Sequence, residues 1–338
     1  MRIKSFIAGC ADTALSPDEK TFFKEENPWG YILFARNVES PDQVRALTDE
    51  LRSISGRPNV PILIDQEGGR VQRLRPPNWT SFMPAAELGA IFREDRDAGK
   101  RAVWLQSRLI ALELRSVGVN VDCLPVLDVP VPGAHDVIGD RAYSIHPHEV
   151  ALLARPACNG LLAGGVLPVI KHIPGHGRAA ADSHLELPVV DTHAAILGCT
   201  DFYPFMQLAD MPIAMTAHVV YTAFDSQRPA TTSPKVIQDI IRGWLGYGGL
   251  LLSDDLSMQA LSGDFRERTQ SAFAAGCDIV LHCNGDMEEM KAIAEVTPEL
   301  TGEAENRAKL ALDMLPDPEE CDEERLRAEF KELTKIAA

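Results

Sequence analysis

The chain has 338 residues, and its 33 Lys and Arg against 49 Asp and Glu give a formal net charge of −16. This acidity argues against a nucleic-acid backbone as partner, because binding phosphates needs a basic face. No apolar run approaches the ~18 residues that span a bilayer, so no membrane partner is expected. The seven cysteines form no CxxC pair, and several lie in apolar runs. They therefore indicate a reducing, cytoplasmic location.

Strand-like and helix-like segments alternate along the chain. Short apolar runs predict eight strands, at 5–8, 31–35, 61–64, 119–125, 167–171, 213–216, 249–253 and 278–282. Apolar residues at helical spacing predict helices between them, at 41–54, 96–117, 147–162, 194–208, 234–245, 268–275 and 287–296. Eight such alternations predict an α/β fold, a single-domain (β/α)8 TIM barrel, with an open doubly wound sheet as the alternative.

The barrel is predicted to occupy residues 1–315. A hinge rich in proline and acidic residues follows it and leads into a charged helix at 322–335. Residues 316–338 are therefore predicted to be a C-terminal helical extension packed on the barrel.

Charged side chains come at the ends of three predicted strands, where Asp65, Lys171 and the pair Asp254-Asp255 stand. In α/β proteins catalytic groups lie at the C-terminal edge of the sheet. Adjacent strand residues point to opposite faces, so only one of the two adjacent aspartates is expected to face the barrel centre. We expect Asp255 to be structural and to cap the turn that follows. We expect Glu67 to brace the glycine turn after it.

The segment after the fifth predicted strand concentrates ionisable groups. It reads Lys171-His172-Ile173-Pro174-Gly175-His176-Gly177 and is followed by Asp182-Ser183-His184. Proline and glycine exclude a helix here, so these side chains are expected on a loop at the C-terminal edge of the sheet.

Four motifs occur in order along the chain. Two are the segments 171–177 and 182–184, and the others are Asp65-Gln66-Glu67-Gly68-Gly69-Arg70-Val71-Gln72-Arg73 and Ser253-Asp254-Asp255-Leu256-Ser257-Met258. Together they resemble glycoside hydrolase family three, and within it the cytoplasmic β-N-acetylglucosaminidases (β-hexosaminidases) of the NagZ type, which act in bacterial peptidoglycan recycling. The resemblance runs from about residue 30 to about residue 285. Ile173 departs from it, because the family usually has Phe there; the change affects packing and not the chemical groups.

The resemblance implies a retaining exo-β-N-acetylglucosaminidase that removes terminal N-acetylglucosamine from muropeptides by double displacement. At the matching positions, Asp254 is the nucleophile and His184 is the general acid/base with Asp182 as its partner. His176 matches a histidine that supports the loop or the site. The matching sugar-binding or pocket positions are Asp65, Arg73, Arg141, Lys171, His172 and His218. No cofactor or metal is expected, the partner is a small sugar substrate, and the chain is expected to be a monomer or weak homodimer.

The chemistry of a retaining glycosidase is compatible with these residues. Such an enzyme needs a carboxylate at the anomeric carbon and a proton donor at the leaving oxygen, usually two carboxyl groups about 5–5.5 Å apart. Asp254 at a strand end meets the first need. His184 in place of the second carboxylate is what the resemblance implies. Asp182 can accept a ring N–H and stabilise the imidazolium that donates.

Three alternatives remain open. A metal-dependent hydrolase would use His172, His176, His184, His218 and Asp254 as ligands. Against it, proline and glycine interrupt the His-x-x-x-His pair, so both rings cannot share one helical face. A catalytically silent sugar-binding barrel is the second alternative. A β-glucosidase or a broader β-hexosaminidase is the third, inside the same family.

Overall fold

The computed structural model describes residues 2–179, 181–183 and 186–335. In this part of the chain eight parallel strands close into a barrel, in which neighbours in sequence pair and the last strand pairs with the first. The strands are β1 (Lys4–Gly9), β2 (Pro28–Leu33), β3 (Ile62–Ile64), β4 (Val121–Asp122), β5 (Leu167–Ile173), β6 (Ile213–Thr216), β7 (Leu250–Asp255) and β8 (Ile279–His282). The predicted (β/α)8 barrel is confirmed, and the open-sheet alternative is wrong.

Alternation along the strands separates two apolar layers. In β7, Leu250 and Leu252 belong to the cluster inside the barrel, whereas Leu251 packs in the layer between the barrel and the helices. Leu63 of β3 and Val169 of β5 lie in the same inner cluster. Because side chains alternate with a period of two, this register also decides which polar residues beyond the apolar positions face inward.

Helices surround the barrel. The described α-helices are α1 (Pro17–Glu26), α2 (Pro41–Ser55), α3 (Ala85–Glu94), α4 (Arg96–Ser116), α5 (Pro147–Ala163), α6 (Ala194–Cys199), α7 (Tyr203–Gln207), α8 (Phe265–Ala275), α9 (Met287–Val296), α10 (Gly302–Asp313) and α11 (Glu323–Thr334). Capping boxes start α1, from Ser16 and Glu19, and α8, from Asp264 and Glu267. None of the helices in the described ranges combines the length and apolar character needed to cross a membrane.

Two predicted helices differ from the structure. The helix predicted at 194–208 is split into α6 and α7. At the break, the side chain of Asp201 accepts hydrogen bonds from Thr200 and Arg178, each at 2.6 Å, which stabilises a bend in place of a continuous helix. The helix predicted at 234–245 is present as the π-helix Val236–Trp244.

Other differences come from weak sequence signals. The strand predicted at 119–125 is reduced to β4, because Pro125 has no N–H to donate to a neighbouring strand. The predicted set lacks α1, α3 and α10. In α1 the only buried apolar side chains are Phe22 and Phe23, so the helix shows little apolar periodicity.

The C-terminal helix α11 lies against α4. Arg101 donates from Nε and Nη2 to the carboxylate of Glu329, at 2.7 and 2.8 Å. Leu326 is buried, and Phe330 packs against the layer outside the barrel. This packing agrees with an extension held on the barrel, while the division into 1–315 and 316–338 stays a prediction.

We expect Leu251→Ala to lower the free energy of unfolding by about 2–5 kcal/mol, because its loss leaves a cavity in a packed layer. The side chain is 0% exposed. Leu310, which is 64% exposed on α10, provides the same substitution as a control. Leu310→Ala should change the stability by less than about 0.5 kcal/mol. Urea denaturation of the two variants measures the difference, and equal losses would contradict the assignment of Leu251 to the core.

Candidate active site

A cleft of about 330 Å³ opens at the C-terminal ends of the barrel strands. Asp65, Lys171 and Asp254 each stand two residues beyond an inward-facing apolar residue, and all three line the cleft, although the strand register shifts between Leu252 and Asp255. The cleft brings together most of the predicted site residues, namely Asp65, Arg73, Arg141, Lys171, His172, His176 and Asp254.

Five side chains at the cleft form a continuous set of ion pairs, the ion-pair ladder of Arg73, Asp65, Lys171, Glu67 and Arg141. Lys171 Nζ lies 2.8 Å from Asp65 Oδ1 and 2.6 Å from Glu67 Oε1. Arg73 donates to Asp65 Oδ2 at 2.9 Å. Arg141 donates from Nε and Nη2 to the two oxygens of Glu67, both at 2.8 Å. The ladder gives every member at least one partner of opposite charge.

The ladder keeps its members charged although they are buried. Burial alone would raise the pKa of Glu67, but Arg141 and Lys171 outweigh it and lower that pKa from 4.5 to about 2. Burial opposes ionisation of Asp65 too, and Lys171 and Arg73 again bring the pKa below its ordinary value. For Lys171, burial would lower the pKa, yet Asp65 and Glu67 raise it. The cleft therefore holds fixed charges across the working pH range.

The expected role of Glu67 was wrong. Its carboxylate binds Arg141 and Lys171 instead of bracing the turn at Gly68 and Gly69. Glu67 is two residues beyond Asp65, and this spacing is the available signal that both carboxylates could meet Lys171.

A further carboxylate, Asp128, was not predicted and lies behind His172. It is 0% exposed, and its Oδ2 is 2.6 Å from His172 Nδ1. Its Oδ1 accepts the backbone N–H of His176 at 2.6 Å. Burial would raise the pKa of Asp128, but the two histidines lower it below its ordinary value. A carboxylate just beyond the fourth strand is the available sequence signal for this residue.

His176 is a buried histidine at the edge of the cleft. Burial, together with the nearby His172, lowers its pKa to about 4, so the ring is neutral near pH 7. Its Nε2 lies 3.1 Å from Ser183 Oγ. This contact connects the histidine to the 181–183 segment, which agrees with the supporting position expected for it.

His218, predicted at the pocket, lies behind the residues that line the cleft. It is 0% exposed and is not among the described residues that line the cleft. Nδ1 lies 2.7 Å from Thr231 Oγ1, and Nε2 lies 2.9 Å from the carbonyl oxygen of Asp255. Burial lowers the pKa of the ring. Both nitrogens face protein groups, so His218 braces the end of β7, and its predicted part in substrate binding stays a prediction.

The two adjacent aspartates of β7 serve different purposes. Asp254 is half-buried in the cleft, and its Oδ1 accepts the N–H of Asp255 at 2.8 Å. Asp255 Oδ1 accepts backbone N–H groups from Ser257 at 3.0 Å and from Cys283 at 3.1 Å. The structural role expected for Asp255 is confirmed, and its bonds hold the strand end that presents Asp254.

The 182–184 motif is described in part. A second cavity of about 360 Å³ adjoins the cleft along Val71, Val137 and Arg141, and Asp182 lines it. Ser183 lines the cleft itself. His184 lies outside the described residues.

The alternative metal centre gains no support from the described ligands. Nδ1 of His172 faces Asp128, and both ring nitrogens of His218 face protein groups. Within 2–179, 181–183 and 186–335, no group of three or more His, Cys, Asp or Glu side chains has a geometry that could hold a metal ion. The expectation of no metal stays a prediction, because His184 was one of the proposed ligands.

A parallel barrel with a carboxylate and a polar, charged cleft at its C-terminal edge has the architecture of a TIM-barrel enzyme. The model of the glycosyl hydrolase family 3 N-terminal domain matches residues 10–311. The chain belongs to glycosyl hydrolase family 3.

Individual relatives agree with this assignment. The β-hexosaminidase of Alkalilimnicola ehrlichii is 42% identical over 288 residues, which cover 84% of this chain and 82% of that protein. The β-hexosaminidase of Bordetella avium is 41% identical over 274 residues, 80% of this chain and 77% of its own. The crystal structure of native NagZ from Neisseria gonorrhoeae superposes with a TM-score of 0.86 at 31% identity and covers 100% of this chain and 97% of that one. The prediction of a glycoside hydrolase of the β-N-acetylhexosaminidase type is confirmed.

We expect Glu67→Gln to lower the free energy of unfolding at neutral pH by about 3–5 kcal/mol, because two buried cations lose a partner. The variant should also weaken the acid dependence of stability. The folded pKa of Glu67 is about 2 against an ordinary 4.5, so its contribution is complete above pH 4.5 and is lost as the pH falls toward 2. Removing the Glu67 carboxylate should reduce the slope of the free energy of unfolding against pH by up to about 1.4 kcal/mol per pH unit in that window.

Urea denaturation between pH 2 and 7 measures both effects of Glu67→Gln. The control is Glu295→Gln, which breaks a pair with Arg266 in which Glu295 is 61% exposed. An exposed pair contributes less than about 1 kcal/mol, so this variant should follow the parent protein. An unchanged acid slope in Glu67→Gln would contradict the ladder.

Proposed function

We propose that the protein is a retaining exo-β-N-acetylglucosaminidase. The observation that carries the proposal is a single cleft of about 330 Å³ in which the Asp254 carboxylate meets the ion-pair ladder. The cleft has room for a terminal sugar ring and the adjoining cavity for a leaving group, which agrees with removal of a terminal residue. The fixed charges supply donors and acceptors to a ring rich in hydroxyl groups.

Sugar binding is assigned to the ladder and its neighbours. Asp65 accepts hydrogen bonds from sugar hydroxyls, and Lys171, Arg73 and Arg141 donate to hydroxyl or amide oxygens. His172 offers its Nε2 edge to the ring. Because these groups are already held by partners, little conformational freedom is lost on binding. A substrate that lacks a matching polar group leaves a buried partner unsatisfied and is bound less well.

The reaction follows double displacement. Asp254 attacks the anomeric carbon while the bond to the leaving oxygen breaks, and His184 gives that oxygen its proton. The product is a glycosyl ester on Asp254 and a free aglycone. Water then attacks the same carbon, His184 takes its proton, and Asp254 leaves. Asp182 orients the ring of His184 and stabilises its charged form.

The leaving group is assigned to the second cavity, because Asp182 lines it and it adjoins the cleft. We propose a muropeptide-derived aglycone, as expected for cell-wall recycling in the cytoplasm, with the enzyme acting as a monomer or weak homodimer. The similarity to NagZ of Neisseria gonorrhoeae supports this assignment.

The substrate proposal is tested by measuring kcat/KM on 4-nitrophenyl β-N-acetylglucosaminide and on the matching β-glucoside and β-N-acetylgalactosaminide. We expect the N-acetylglucosaminide to be preferred by at least about a hundredfold over the glucoside, because a missing polar partner costs that much in a desolvated site. A preference for the glucoside would replace the proposal by a β-glucosidase. Equal turnover of the two N-acetyl sugars would indicate a broader β-hexosaminidase.

Asp254→Ala tests the nucleophile. The variant should lose at least about a thousandfold in kcat, because the covalent route is closed. Added azide should restore turnover of the nitrophenyl substrate by attacking the anomeric carbon from the vacated face, with nitrophenolate leaving, which gives the α-glycosyl azide. The parent enzyme should release the β-sugar first, and NMR distinguishes the two anomers.

Asp313→Ala, an exposed aspartate at the end of α10, is the matched control and should retain full activity. A β-glycosyl azide, or undiminished turnover in Asp254→Ala, would contradict the assignment. Sugar binding without any turnover by the parent enzyme would favour the silent binding barrel.

A further inference from the structure

Asp128 is the buried carboxylate that neither substrate nor cleft solvent reaches. It is 0% exposed and follows Leu127, whose backbone N–H bonds the carbonyl oxygen of Lys171 at 2.7 Å. This bond holds the chain beyond β4 against the end of β5. Asp128 is therefore placed directly behind the residues that line the cleft.

Both oxygens of Asp128 are used, and they serve different groups. Oδ1 accepts two backbone N–H groups, from His176 at 2.6 Å and from His172 at 3.3 Å. Oδ2 lies 2.6 Å from Nδ1 of the His172 ring. A carboxylate can only accept hydrogen bonds, so the short contact requires a proton on Nδ1.

The opposite edge of the His172 ring belongs to the cleft. With Nδ1 directed at Asp128, Nε2 is the nitrogen on the side that lines the cleft. In the neutral ring Nε2 accepts a hydrogen bond, and in the charged ring it donates one. In both cases Nδ1 keeps its proton and donates it in a hydrogen bond to the Asp128 carboxylate. Only Nε2 gains or loses a proton.

We propose that Asp128 is a positioning residue for sugar binding, which holds the proton of His172 on Nδ1 and so assigns Nε2 to the sugar. The role of His172 in sugar binding rests on the proposed function. The tautomer of His172 does not, because it is a property of the protein without substrate. The two can therefore fail separately.

Asp128→Asn is the sharpest variant, because the side chain keeps its shape. The two backbone N–H donors keep the amide oxygen at the Oδ1 position, so the amide NH₂ takes the place of Oδ2 and faces Nδ1 of His172. A donor there requires Nδ1 to accept, and the neutral ring must then carry its proton on Nε2. An Asn in place of a carboxylate behind a catalytic histidine is known to invert the tautomer in this way.

Asp122→Asn is the matched control. Asp122 is also 0% exposed and lies six positions before Asp128 at the same edge of the barrel. It accepts the backbone N–H of Gln66 at 3.0 Å, and no histidine contact of its carboxylate is seen within the described residues. Burial raises its pKa well above the ordinary value, so an uncharged amide is a close replacement.

The first readout is the nitrogen NMR spectrum of histidine-labelled protein at about pH 9, where an ordinary imidazole is neutral. We expect the Nδ1–H form for His172 in the parent protein and in Asp122→Asn, and the Nε2–H form in Asp128→Asn. His172→Gln identifies the signal by its loss. The Nε2–H form in the parent protein would overturn the proposal, whether or not Asp128→Asn folds.

The second readout is kinetic, on whichever nitrophenyl glycoside the enzyme turns over. Asp128→Asn should raise KM about tenfold or more with a smaller change in kcat, because the sugar contact is present in the ground state and the transition state alike. In a His172→Gln background, Asp128→Asn should raise KM by less than about a further twofold, because Asp128 acts through the His172 ring. If Asp128→Asn raises KM as much in the His172→Gln background as in the parent enzyme, Asp128 only supports the backbone, and the proposal is overturned.

Discussion

The ion-pair ladder centred on Lys171 is the interaction on which the site depends. The Lys171 side chain is 2% exposed, and burying an ammonium group costs several kcal/mol unless partners of opposite charge compensate for it. Asp65 and Glu67 provide that compensation from the segment after β3, while Lys171 belongs to β5. Since β4 lies between β3 and β5 and pairs with both, the partners meet once these three strands are side by side. The pairing of these strands therefore also brings the ladder together.

A charged ladder of this kind suits a substrate made of hydroxyl groups. The donors and acceptors are held by one another, so in the proposed function sugar binding exchanges water for hydroxyls with little loss of conformational freedom. The end of β7 is also held by protein contacts. The Asp255 carboxylate accepts the backbone N–H of Ser257, and His218 Nε2 contacts the Asp255 carbonyl oxygen. Asp254 is thus presented from a rigid strand end, as the role proposed for its carboxylate requires.

The histidines show how burial divides one residue type among several tasks. His172 faces the cleft with Asp128 behind it, His176 is neutral and contacts Ser183, and His218 is enclosed between Thr231 and β7. The family resemblance assigned all three to the site region. It could not rank them by depth, because depth is set by the loops that cover each ring and not by position in the motif.

Local patterns were sufficient for the architecture. Alternating apolar runs and helical periodicity predicted eight strands, and all eight are present. Weakly periodic helices such as α1 were not predicted, since two buried phenylalanines give no helical periodicity. The break between α6 and α7 was not predicted either, because it depends on a hydrogen bond that Arg178, from another segment, donates to Asp201.

What the sequence determined by itself is the set of inward positions, because a strand alternates its side chains whatever surrounds it. Asp65, Lys171 and Asp254 each follow an inward-facing apolar residue by two positions and line the cleft. The pairing of charges was decided by the tertiary structure alone. Glu67 and Arg141 are 74 residues apart, and Asp128 and His172 are 44 apart. Which cation meets which carboxylate depends on how closely β3, β4 and β5 approach at their C-terminal ends, and no local pattern encodes that distance.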